Sequence, residues 1–89
     1  MRYTFFISNK TLVSELHRRL AKGIVRFTYY TKDGRVREAI GTRNLNYVHR
    51  IGIYAPIPHT DIHRPNAYFD LERRAWRSFC PQNLVSIDG

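Results

Sequence analysis

A small, mainly β domain with one N-terminal helix, its five short strands closed into a barrel, is the fold this sequence predicts. Three observations predict it. Apolar residues recur at helical spacing between Leu12 and Leu20; two β-rich segments flank Asp33-Gly34; and a second hairpin pattern, Ala67 to Phe79, precedes one further strand. Antiparallel strands in a small domain favour a barrel because closure removes exposed sheet edges. An open α+β sheet with the helix on one face is the alternative. At 89 residues the chain can close one hydrophobic core. We divide it into an arm and helix over 1–23 and a barrel over 24–89, with a long connection at 44–66.

The elements follow in order. Tyr3 to Ile7 reads as a short strand or an extended arm. Ser8 or Asn9 can cap a helix by accepting from its first free amides. From Lys10 to Lys22, Leu12, Val13, Leu16 and Leu20 share one helical face, with Gly23 as the stop. A helix packed on a sheet is favoured over a DNA-recognition helix, since no second helix stands at helix-turn-helix spacing. Strand one runs from about Ile24 to Thr31, with Val25, Phe27 and Tyr29 on one face. Asp33-Gly34 supplies the positive φ angles of a tight hairpin. Strand two, Arg35 to about Arg43, places Val36, Glu38 and Ile40 on one face and Arg35, Arg37 and Ala39 on the other. Glu38 among apolar neighbours implies a bulge or partial burial beside a cation, Arg37 and Arg77 being candidates.

Pattern fails between Asn44 and Asn66, where Val48 to Tyr54 is expected to form a short strand or lie against the core. It returns with strands at Ala67 to Leu71 and Arg74 to Phe79 around a turn at Glu72-Arg73. Pro81-Gln82-Asn83 reads as a turn or one helical turn, and Leu84 to Ile87 as the last strand.

Composition is that of a globular protein, 43% hydrophobic and 13% aromatic. No apolar run approaches the roughly 20 residues of a membrane span, and the apolar start is too short for a signal-peptide core. A single cysteine, Cys80, permits no internal disulfide and fits a reducing cytoplasm. Fifteen Lys and Arg oppose seven Asp and Glu, a formal charge of +8. This points to a polyanion partner, most simply nucleic acid, or else to a basic protein whose charges are only solvated.

Two blocks carry a resemblance. Phe27-x-Tyr29-x-x-Lys32-Asp33-Gly34-x-Val36-Arg37-Glu38-Ala39-x-Gly41-Thr42 and Tyr68-Phe69-Asp70-Leu71-x-x-x-Ala75-Trp76-Arg77-Ser78-Phe79 are similar to a family of small bacterial and phage-associated WYL-like proteins. The resemblance implies an Sm-like SH3 β-barrel, with no established function. The same pieces resemble the WYL domains of bacterial transcription regulators, with Tyr29, Arg37 and Arg77-Ser78-Phe79 in matching places. The Trp-Tyr-Leu tripeptide itself is absent; Tyr68-Phe69-Asp70-Leu71 stands about where it would be. Beside a DNA-binding domain in regulators, such a domain here would stand alone, binding nucleic acid, a nucleotide-like ligand or another protein.

Candidate nucleic-acid contacts are Arg35, Arg37, Arg43, Arg73, Arg74 and Arg77, which would hold phosphates, with Tyr30 and Trp76 offering faces for base stacking. Tyr29, Trp76 and Phe79 are equally candidates for the core, and Arg37 and Arg77 for structural pairs with Glu38 or Asp70. His59, Asp61 and His63 alternate as metal ligands could, but solvent-exposed loop histidines are the favoured account, and no metal or cofactor is expected. Cys80 is expected to be a small buried hydrophobe. The chain shows no P-loop, dinucleotide fingerprint or Cys-His signature, so no enzymatic activity is expected. The reading is a cytoplasmic, non-catalytic, regulatory module that binds nucleic acid through arginines and aromatics. The alternative is a protein- or ligand-responsive module without nucleic-acid affinity, with self-association through strand edges a further option.

Overall fold

The computed structural model describes residues 2–3, 8–50 and 66–88. In chain order the elements are β1 (Arg2–Tyr3), α1 (Asn9–Lys22), β2 (Val25–Tyr30), β3 (Val36–Thr42), α2 (Leu45–Arg50), β4 (Ala67–Asp70), β5 (Ala75–Ser78) and β6 (Leu84–Asp88), with one 3₁₀ turn at Pro81–Asn83. All strand pairings are antiparallel, in the order β1-β6-β2-β3-β4-β5. Among the described residues β1 and β5 are the two edges of an open order.

Helix α1 starts where a cap is available. The Ser8 hydroxyl accepts from the Thr11 amide at 3.2 Å. Its apolar stripe, Leu12, Leu16 and Leu20, is buried against Val25, Phe27, Tyr29, Ala39, Tyr68, Phe79, Leu84 and Ile87. Each buried leucine contributes about 2 kcal/mol by removing apolar surface from water. The helix's last carbonyls, which have no intrahelical donor, are met by the segment after β3. The Arg43 amide donates to Leu20 O at 2.8 Å, the Thr42 hydroxyl to the same oxygen at 3.3 Å, and the Asn44 side chain to Lys22 O at 3.0 Å.

The central hairpin forms, with a different turn from the one expected. Gly34 N–H donates to Thr31 O at 3.0 Å, and Gly34 has φ +84°. Among the described non-glycine residues only Arg74 has positive φ, so Asp33 does not supply one. The loop is an ordinary four-residue turn closed by a left-handed glycine, and not a two-residue primed turn.

Face assignment on β3 reverses the hydrophobic expectation. Val36 is 59% exposed and Glu38 is exposed, whereas Ala39 and Gly41 are buried and Arg37 is half-buried. The register pairs Val25 with Gly41, Phe27 with Ala39 and Tyr29 with Arg37. Tyr68 decides the parity: a Cβ on Gly41 would lie 2.5 Å from its ring and 2.6 Å from Phe69 O. The inner face must carry small residues there, which sends Val36, Glu38 and Ile40 outward. Glu38 is therefore neither buried nor aimed by a bulge. The irregularity sits elsewhere, between Thr28 and Tyr29 opposite β6, where Ser86 and Leu84 are the successive partners and Val85 is left over and exposed.

Residues 45–50 form a helix and not a strand. Asn44 caps it, its side-chain oxygen accepting from the Tyr47 amide at 3.2 Å, and Val48 is buried. Of Val48 to Tyr54, expected as a short strand or as lying against the core, Val48 is buried, while the part from 51 on lies outside the described residues, as do 4–7 of the N-terminal arm and His59, Asp61 and His63.

Candidate nucleic-acid interface

The site grows from a short aromatic and charged chain on the inner face of the sheet. Phe27 and Tyr29 on β2 stack at 5.8 Å, and Tyr68 on β4 meets Phe27 edge-on at 4.9 Å. The Tyr29 and Tyr68 hydroxyls are hydrogen-bonded at 2.8 Å in the core. Burial, with that hydroxyl contact, pushes the Tyr68 phenol above its ordinary range.

Arg37 lies at the end of this chain. Its guanidinium donates to the carboxylate of Asp70, which is fully buried, while Arg37 itself is 16% exposed. Burial works against the Arg37 charge, but hydrogen bonds to Asp70 and to the Tyr68 hydroxyl hold its pKa above the ordinary value. The other Asp70 oxygen accepts from the amides of Glu72 and Arg73, each at 3.0 Å, and so builds the β4–β5 turn. Arg77 Nε stands 3.9 Å from Asp70. The expected partner for Arg37 and Arg77 was Glu38 or Asp70; it is Asp70, and Glu38 faces away.

Beside this chain runs a groove of about 510 Å³. It is lined by residues 29–32 at the end of β2 and by 77–81, with Arg37 and Asn66. Tyr30 is 47% exposed, and Arg77 is open to solvent. Three cations, Lys32, Arg37 and Arg77, thus line one groove, and two of them, Arg37 and Arg77, stand beside the buried carboxylate of Asp70.

The proposed contacts divide. Tyr30, Arg37 and Arg77 come together along this groove. Arg35 is 83% exposed at the hairpin, 3.1 Å from Asp33. Arg43 donates to Ala67 O at 2.6 Å and ties β3 to β4. Arg73 and Arg74 are exposed in the β4–β5 turn, where Arg74 takes the strained φ of 54°. Trp76 pairs in register with Phe69 and Arg77 with Tyr68, so the tryptophan is on the opposite face of β5 from Arg77. It is half-buried, edge-on to Phe69 at 5.7 Å.

The sequence does not single out Lys32 or Asn66 as groove residues; the Asn66 side chain bonds His17 Nε2 at 2.9 Å. The signal that could find Lys32 is a cation two residues beyond Tyr30, where strand one ends. Cys80 is half-buried and not an inert core group; its thiol meets Gln82 Oε1 at 2.7 Å. Among the described residues no three His, Cys, Asp or Glu side chains cluster as metal ligands would, and no helix is long and apolar enough to cross a membrane.

A single antiparallel sheet packed against α1, with a groove lined by cations and aromatics at the end of its central hairpin, defines a small β-sheet domain. Residues 13–85 match the family described as WYL_2, Sm-like SH3 beta-barrel fold, and the chain belongs to that family. Comparison with the curated proteins and with the solved structures finds no match.

Proposed function

We propose that this domain is a non-catalytic, regulatory binding module that takes nucleic acid along the groove between residues 29–32 and 77–81, with its strands closing as the small barrel of its family. One observation carries the reading: Lys32, Arg37 and Arg77 line one groove together with Tyr30, which is 47% exposed. Cations neutralise phosphates and release their counterions, while an exposed aromatic face accepts an unstacked base. Arg37 acts here by shaping the floor, because its charge is already matched by Asp70; Lys32 and Arg77 are the groups left to meet phosphate. The groove's thiol is engaged with Gln82, and His17 with Asn66, which supports binding over nucleophilic chemistry.

The test is a titration of labelled single- and double-stranded oligonucleotides, of about 15 nucleotides so as to exceed one small-barrel site, at about 50 mM salt where phosphate contacts are strongest. Binding that weakens in Arg77→Ala, Lys32→Ala and Tyr30→Ala supports the reading. Absence of binding to every oligonucleotide overturns it.

A further inference from the structure

A second groove, of about 620 Å³, lies at the other end of the sheet, between the last turn of α1 and the start of β2. Its floor is aliphatic: Ile24, Val25 and Ile40, with Ile24 42% exposed although it is a large branched side chain. Its rim carries Arg19, Lys22 and Arg26, with Asp88 the one acid among the described lining residues. Arg19 is bonded to Glu15 at 2.9 Å. The exposed side chains of Lys22 and Arg26 form no ion pair among the described residues. Nearby helix carbonyls, which would repel an anion, are already covered by Arg43, Thr42 and Asn44.

We infer that this groove docks an acidic peptide segment bearing a branched aliphatic side chain, and so gives the domain a protein partner independent of the first groove. Lys22 and Arg26, which form no ion pair among the described residues, beside an exposed isoleucine complement a carboxylate-flanked aliphatic residue in charge and in polarity. Among the described residues no aromatic face lines the groove to receive a base, which favours a peptide over nucleic acid. The peptide's isoleucine or leucine would cover Ile24 and Ile40, and its carboxylates would meet Lys22 and Arg26.

The probe is a fluorescein-labelled octapeptide with one isoleucine flanked on each side by two glutamates, followed by anisotropy on the intact chain. Binding is expected to fall about five- to ten-fold in Arg26→Glu and in Ile24→Ser, both surface changes, as expected for loss of one charge pair or one apolar contact. A control peptide with serine in place of the isoleucine is expected to bind comparably less. Arg77→Ala and an excess of oligothymidylate should leave peptide binding unchanged. No binding up to about 1 mM, a concentration that would detect even a weak contact, overturns the inference. So does binding indifferent to Ile24→Ser and Arg26→Glu, or binding abolished by Arg77→Ala, which would move the peptide to the first groove. None of these results bears on whether the first groove takes nucleic acid.

Discussion

Arg37 on β3 donates to the fully buried carboxylate of Asp70 on β4, and this bond joins two strands whose backbone register spans only Gly41–Asp70 and Thr42–Phe69. The same carboxylate holds the amides of Glu72 and Arg73 and stands near Arg77. One residue thus fixes the β4–β5 turn and the floor of the groove. Removing either partner leaves a buried charge uncompensated, so Asp70→Ala is expected to cost about 3–5 kcal/mol. Urea unfolding measures it; a loss under about 1 kcal/mol, the value of an exposed pair, would show that the pair is not structural.

Gly41 lies under the Tyr68 ring and against Phe69 O. Both neighbours belong to the packed core or the backbone and cannot swing aside. Gly41→Ala is therefore expected to destabilise by about 1–3 kcal/mol through overpacking, despite alanine's better strand propensity. Gly34→Ala, in open space but at φ +84°, is expected to cost less, about 1 kcal/mol, from backbone strain alone. Thermal unfolding of the two variants gives the order.

The raised ionisation of Tyr68 gives stability an alkaline limit. The unfolded phenol ionises near its ordinary value of about 10, while the folded one stays protonated to higher pH because burial opposes its charge. The unfolded state then binds fewer protons, so stability is intact below about pH 10 and falls as pH rises beyond it. Tyr68→Phe should flatten that fall in unfolding curves taken between pH 8 and 12, whatever it does to stability at neutral pH.

Glu15 sets a matching acid effect on α1. Hydrogen bonds from Arg18 and Arg19 lower its pKa to about 2. The contribution of this cluster is full above the ordinary carboxylate range and is lost as pH falls through about 2. Glu15→Gln is expected to reduce the slope of stability against pH between 5 and 2. Since the Glu15 side chain is partly exposed, about 1 M salt should mute the difference.

Local chemistry made much of this fold legible. Ser8 and Gly23 bound the helix, Asp33-Gly34 placed the hairpin, and Pro81 opened the 3₁₀ turn. What stayed hidden depended on neighbours distant in sequence. Period-2 alternation on β3 separates Val36, Glu38 and Ile40 from Arg37, Ala39 and Gly41 but does not say which set faces the core. Hydrophobicity favours the first set; the volume of Tyr68, 27 residues beyond Gly41, requires the second. The site was half legible for the same reason. Arginine content named Arg37 and Arg77, yet only register shows that Trp76 faces away from Arg77 and that Arg43 is engaged with Ala67 O. Nothing local marks Lys32 as a groove residue, since its place in the groove depends on residues 77–81, far along the chain.

The most direct measurement of the central claim is the salt dependence of affinity for a single-stranded oligonucleotide, compared between the unaltered chain and the Lys32→Ala/Arg77→Ala double variant. With each phosphate contact contributing about 0.7 to the slope of log affinity against log salt on single strands, the variant should lose about 1.4 and bind more weakly at every salt concentration. Equal slopes and affinities in the two proteins would contradict the assignment of the groove between Tyr30 and Arg77 as the nucleic-acid interface.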